Sequence, residues 1–133
     1  MILIDTSIWI NILGKNKAKS YAKKLRQVIG GRDVVLTRFQ QLELLQGCSN
    51  EKEWLKLSEY LDGQDYLETL PTTWQAAARI FYELRKKGLT VRSPIDCCIA
   101  QIAIEQRVFL IHDDRDFDAI GMHFPLQHQR FQD

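Results

Sequence analysis

Two apolar runs anchor the pattern of this chain. Residues Met1 to Ile4 form one and break at Asp5, and Val108 to Ile111 form the other and break at His112-Asp113-Asp114. An uninterrupted apolar run of this length describes a strand buried on both faces, as in a parallel sheet flanked by helices. The predicted strands are Ile2 to Asp5 and Val108 to Ile111, with a further β-rich run at Val34-Val35-Leu36.

Helical spacing fills the intervals. Ser7 to Leu13 reads as a short helix, and Lys17 to Ile29 as another, stopped by Gly30-Gly31. Phe39 to Gln46 is helical up to Gly47, and Glu51 to Leu61 ends near Gly63. Tyr66 to Leu70 reads as an edge strand before Pro71, and Thr73 to Lys87 as a long helix closed by Gly88. Ser93-Pro94 opens a helix to about Gln106, with Ser93 as N-cap and Pro94 at the first helical position. A short helix follows from Arg115, and Phe124 to Leu126 reads as a last strand. Strands alternating with helices over the whole length predict an α/β fold: a three-layer α/β/α sandwich around a mostly parallel sheet.

At 133 residues the chain fits a single domain, expected over residues 1–133, with room for a real core. Trp9, Trp54 and Trp74 are expected in that core. No apolar stretch approaches the roughly 18 residues of a membrane span. The N-terminus lacks signal-peptide features, so a soluble, cytoplasmic protein is expected. The three cysteines fit that setting. Cys97 and Cys98 are adjacent, no Cys-x-x-Cys occurs, and buried thiols are expected rather than disulfides or a zinc site.

The net charge of +1 conceals an uneven layout. No acid lies between Thr6 and Arg32, where Lys15, Lys17, Lys19, Lys23, Lys24, Arg26 and Arg32 are found. Arg85, Lys86, Lys87 and Arg92 form a second basic group, while Asp113, Asp114, Asp116 and Asp118 crowd the tail. Basic surface beside an acidic centre suits an enzyme that cuts a polyanion, although lysines alone equally describe a solvated helix face.

The acids carry the chemistry. Asp5 and Asp114 follow the two most apolar strands, and open α/β sheets bind ligands along the carboxyl edge of their strands. Taken singly, each has a structural role available. Asp5 and Asp114 suit N-caps, Asp96 completes a Ser93-x-x-Asp96 capping box, and Glu43 suits a helix surface. If the strands are neighbours, however, Asp5 and Asp114 meet where the winding of the sheet reverses. Carboxylates held together raise one another's pKa, a cost that a divalent cation removes. Oxygen ligands without His or Cys between them select Mg²⁺, with Mn²⁺ as an alternative, over Zn²⁺.

These residues resemble the PIN domain, and within it the VapC toxins of bacterial toxin–antitoxin pairs. The matching words are Ile4-Asp5-Thr6-Ser7-x-Trp9, Leu36-Thr37, Glu43-Leu44-Leu45-x-Gly47, Ser93-Pro94-x-Asp96-Cys97-x-Ile99-Ala100 and Asp114-Arg115-Asp116-Phe117. They lie in family order and span residues 2 to 117. The resemblance implies a metal-dependent ribonuclease of α/β/α fold, with Asp5, Glu43, Asp96 and Asp114 as an acidic quartet and Asp116 a fifth acid nearby. Asp5, Asp96 and Asp114 are the expected metal ligands, with the choice between Asp114 and Asp116 left open. Thr6 or Ser7 would help hold the metal or its waters. His112 stands where many relatives carry Thr or Ser, so a hydroxyl's role there passes to an imidazole or is lost.

The expected reaction is hydrolysis of an RNA phosphodiester. The resemblance also implies a homodimer and a VapB-like antitoxin whose tail covers the acidic pocket. Two other readings fit parts of the pattern. One is an inactive PIN-type module that only binds RNA or protein. The other is a haloacid-dehalogenase-like phosphatase, which needs a second Asp where Ser7 stands.

Overall fold

β1 (Ile2–Ile4) leads into α1 (Thr6–Leu13) and α2 (Lys19–Ile29), followed by β2 (Val34–Thr37), α3 (Arg38–Gln46) and α4 (Glu51–Asp62). The chain continues through β3 (Tyr66–Leu67), α5 (Pro71–Lys86), α6 (Pro94–Gln106), β4 (Phe109–His112), α7 (Arg115–His123) and β5 (His128–Arg130). This computed structural model describes residues 1–13 and 19–132. Lys15, Lys17 and the expected start of the second helix lie outside the described residues.

The strands form one parallel sheet in the order β3-β2-β1-β4-β5. The chain winds outward from β1 through β2 to β3, then returns to the other side of β1 for β4 and β5. The reversal therefore falls between β1 and β4, which pair Ile2 with Phe109, Leu3 with Leu110 and Ile4 with Ile111. The Asp5 N–H extends that ladder by donating to the Ile111 carbonyl at 2.9 Å.

Both faces of the sheet are covered at β1, β2 and β4, which is why those strands are mainly apolar. Leu3, Val35 and Leu110 face α5, α6 and α7 through Ile80, Leu84, Ile99, Ile102 and Phe117. Ile2, Ile4, Leu36 and Ile111 face the opposite layer, with Ile8, Trp9, Tyr21, Leu25 and Leu61 from α1, α2 and α4. The alternation of Leu3 against Ile2 and Ile4 is the strand period expressed in a sheet buried on two sides.

Three expectations need correction. The last strand is His128–Arg130, not Phe124 to Leu126. Phe124 closes α7, its N–H donating to the Ile120 carbonyl, and Pro125 has no N–H for a ladder. Leu126 is apolar because it fills the core beneath the turn. The real strand is half-exposed and polar, as an edge strand can be, and so lacks an apolar signature. Trp9 is buried as expected, but Trp54 and Trp74 are exposed. The Ser93-x-x-Asp96 capping box does not form: the Ser93 hydroxyl accepts from the Ile95 N–H at 3.1 Å, and the Asp96 carboxylate does not complete the pair.

A parallel sheet sends every strand end to one edge. Asp5, the start of α3 and the Asp113-Asp114 turn all lie there. α6 runs back toward the start of β4, so its first turn, which carries Asp96, lies at that same edge.

Candidate active site

Asp5 is 5% exposed, at the point where β1 turns into α1. Its Oδ2 accepts from the Ser7 N–H at 3.1 Å and from the Ser7 hydroxyl at 2.7 Å, the capping interaction that starts the helix. Ser7 Oγ in turn accepts the Asp113 N–H at 3.0 Å, tying the end of β1 to the turn after β4. Burial holds the Asp5 carboxyl above its ordinary range, only partly opposed by the Ser7 hydrogen bonds.

Glu43 enters from α3. The Thr6 hydroxyl donates to its Oε1 at 3.2 Å. Burial and then the Asp5 charge raise its pKa. The orientation of α3 rests on Gln40, which is fully buried. Its amide nitrogen donates to the Ile4 carbonyl, and its Oε1 accepts the Thr37 N–H at 2.8 Å. One side chain thus joins the ends of β1 and β2 to the helix carrying Glu43. Gln40→Leu leaves two buried backbone groups without partners, a cost of roughly 1–3 kcal/mol each. Chemical denaturation should show a loss in that range, together with reduced activity from a displaced Glu43.

Asp96, Asp114 and Asp116 each offer an oxygen, and these atoms lie within 4.8 Å of one another. Asp114 is the N-cap of α7, its Oδ1 accepting the Asp116 N–H at 2.9 Å. Capping and membership of the acidic group are therefore combined in one residue. Arg92 braces the pair: Nη2 donates to Asp114 Oδ1 at 2.8 Å, Nε to Asp116 Oδ2 at 3.0 Å, and the backbone N–H to Asp116 Oδ2 at 3.2 Å.

Asp96 is the electrostatic centre. Among the described residues no hydrogen bond reaches its carboxylate. Burial first, then the charges of Asp5, Asp114, Glu43 and Asp116, push its pKa up to about 7. Each of the other four acids singled out in the sequence thus acts on Asp96. Asp5 and Glu43 flank the close trio of Asp96, Asp114 and Asp116.

His112 is fully buried and stands behind this group, not in it. Its Nδ1 accepts the Asp114 N–H at 3.1 Å. Burial lowers its pKa to about 4, so the ring is neutral at physiological pH. Sequence reasoning missed Gln40 and the bracing role of Arg92. The Thr37-x-x-Gln40 spacing, a capping-box pattern, was the available signal for the first. Nothing local marks Arg92, because its partners lie more than twenty residues away.

The donor set is entirely oxygen, crowded and electrostatically strained, which fits a hard divalent cation. It does not fit Zn²⁺, which favours nitrogen and sulfur.

Comparison with known proteins agrees with this geometry. Residues 2–122 match the family model of the PIN domain. VapC ribonuclease Mb1587 of Mycobacterium bovis is 30% identical over 135 residues, covering 99% of this chain and 100% of that protein. Ribonuclease VapC11 of Mycobacterium tuberculosis matches to the same extent. The fold is shared with VapBC2 from Rickettsia felis bound to a promoter DNA fragment, at TM-score 0.78 and 19% identity over 99% of this chain and 100% of that one. It is also shared with VapBC-1 from nontypeable Haemophilus influenzae, at TM-score 0.76 and 24% identity over 98% of both chains. Motif order, strand order and full-length similarity converge: the chain belongs to the PIN-domain family, in its VapC branch.

Proposed function

We propose that this protein is a divalent-metal-dependent endoribonuclease and the toxin of a toxin–antitoxin pair. The observation that carries the reading is the trio Asp96, Asp114 and Asp116, whose oxygens lie within 4.8 Å of one another, with Asp5 and Glu43 near enough that their charges also raise the Asp96 pKa. A fold does not require so costly an arrangement. The names of the VapC ribonucleases support the same chemistry. An inactive binding module is disfavoured, because none of the five acids is missing.

Asp96, Asp114 and Asp116, with Asp5 beside them, would hold Mg²⁺ or Mn²⁺. The bound ion would lower the pKa of a water and neutralise charge on the phosphate oxygens. Glu43 supplies a carboxyl of raised pKa, suited to accept the attacking water's proton at the oxygen not engaged by Thr6. Ser7 keeps Asp5 facing the trio, and Arg92 fixes one oxygen each of Asp114 and Asp116 while leaving the other free. Mutual orientation of this kind is what a metal site demands of its surroundings.

The guanidinium of Arg92 is also exposed, and its Nη1 has no partner among the described residues. It is suited to a phosphate of the RNA. Arg92→Ala should therefore lower the slope of log(kcat/KM) against log[salt] by about 0.7, the share of one single-strand phosphate contact. An unchanged slope would remove Arg92 from the RNA-binding surface.

Apolar recesses between α1, α2 and α4 and beside Phe39, Leu42 and Trp74 are open to the partners of this reading, an antitoxin and a second copy of the chain. A fluorogenic RNA titrated with Mg²⁺ and Mn²⁺ tests the activity. Metal-dependent cleavage that Asp5→Asn abolishes is the expected result; no cleavage at any metal concentration would refute it.

A further inference from the structure

Behind the acidic group lies a second cluster that the reaction does not use. His112 Nε2 and His128 Nδ1 are 3.0 Å apart, and Asp118 Oδ1 lies 3.7 Å from the first and 3.8 Å from the second. The ring centroids are 5.2 Å apart, with 26° between the ring planes. These three ligand atoms are close enough to share a transition-metal ion. The proton positions argue otherwise. A neutral imidazole that binds metal through Nε2 carries its proton on Nδ1 and donates it to an acceptor. Here Nδ1 of His112 faces a donor, the Asp114 N–H.

That donor fixes the direction of the whole chain of bonds. Nδ1 of His112 must present a lone pair, so the neutral ring carries its proton on Nε2. Nε2–H then donates to His128 Nδ1, and His128 carries its own proton on Nε2. The peptide of Asp114, His112 on β4 and His128 on β5 are thus linked in one polar sequence through the core.

The fold makes room for this contact at some cost. Gly121 in α7 faces His128, and a Cβ there would overlap the imidazole ring. Arg130, two residues on, donates to Asp113 at 3.1 Å and to Asp118 at 3.2 Å. β5 therefore grips the segment carrying Asp114 and Asp116 on both sides, although the strand itself lies at the edge of the sheet.

We propose that His128 is a positioning residue for the acidic site. Acting through His112, it fixes the Asp114 peptide and hence the place of the Asp114 and Asp116 carboxylates. The role in catalysis rests on the nuclease reading above, whereas the hydrogen-bond chain stands independently of it.

The test compares His128→Leu, which removes the acceptor, with His128→Asn, whose side-chain oxygen can replace Nδ1. Gly121→Ala, which displaces the ring, is a third variant. Mn²⁺ affinity, RNA cleavage and the ¹⁵N resonances of His112 are measured for each. Wild type should show His112 as the single Nε2–H tautomer with a shifted Asp114 amide. His128→Leu should lose that signature, bind Mn²⁺ about tenfold more weakly and lose kcat by a similar factor, with KM for RNA little changed. His128→Asn should recover most of both, and Gly121→Ala should follow His128→Leu.

Wild-type Mn²⁺ affinity and tautomer in His128→Leu would overturn the proposal. So would equal impairment of the Leu and Asn variants accompanied by equal loss of melting temperature, which would mark a general packing role. If wild type binds Mn²⁺ and shows the tautomer but cleaves no RNA, the nuclease reading fails and the positioning role survives.

Discussion

Asp96→Asn should lower RNA cleavage by about a hundredfold or more while leaving metal-free melting level or higher. The two halves of this expectation come from the same cause. Asp96 lies in the first turn of α6, where an acid is favoured by the helix dipole, and a purely structural role predicts lost stability on its removal. Yet its carboxylate completes no capping box. Its surroundings instead oppose its charge, through burial and four neighbouring acids. A neutral amide of the same shape relieves that repulsion and removes a ligand oxygen together. A structural cap would behave in the opposite way, losing about 0.5–2 kcal/mol with activity intact. Thermal melting in EDTA alongside cleavage of a fluorogenic RNA separates the two cases. Full activity with a clear loss of melting temperature would reject the catalytic role of Asp96.

The second large effect is the acids' share of metal-free stability, which falls as pH rises. It is read as wild type minus Asp96→Asn, because buried His112, its pKa lowered to about 4, contributes the opposite trend in both proteins. Asp96 has a folded pKa of about 7 against an ordinary 3.8, and Asp5 and Glu43 are also raised. Between those limits the folded state binds more protons than the unfolded chain, so stability from these groups is fully present below about pH 4 and lost as pH rises toward 7. Asp96 alone accounts for roughly 2 kcal/mol of that loss, allowing for screening in a half-open pocket. A divalent cation restores it: at a hundred times its Kd the gain is about 2.7 kcal/mol. Because protons compete for the same oxygens, that gain grows with pH. Melting curves from about pH 4 to 8, in EDTA and in Mn²⁺, report both trends. Metal-free stability that rises across this interval relative to Asp96→Asn, or a metal effect that is the same at both ends, would contradict the electrostatic account.

The central strands were legible because they are buried on both faces, so Ile2 to Ile4 and Val108 to Ile111 declare themselves by composition alone. Their adjacency was a condition in the sequence and is a fact in the structure, which brings the ends of β1 and β4 together. β5 was misread because an exposed edge strand of sequence His128-Gln129-Arg130 has no apolar pattern to detect. Trp54 and Trp74 escaped a rule that counts only the chain's own core, since they lie on its surface.

The acids were legible one by one, as charges at the ends of apolar strands or in the first turn of a helix. Their mutual effect on Asp96 was not, because it depends on the direction in which α6 runs against the sheet. Arg92, Gln40 and His128 act on residues far away in sequence. Their partners exist only once the chain has folded.

The central claim is that these side chains gather around one divalent cation, and anomalous diffraction from crystals soaked in Mn²⁺ tests it most directly. An anomalous peak is expected between Asp96, Asp114 and Asp116, on the side facing Asp5, and should disappear in Asp96→Asn. A peak between His112, His128 and Asp118 instead, or none near Asp96, would contradict it.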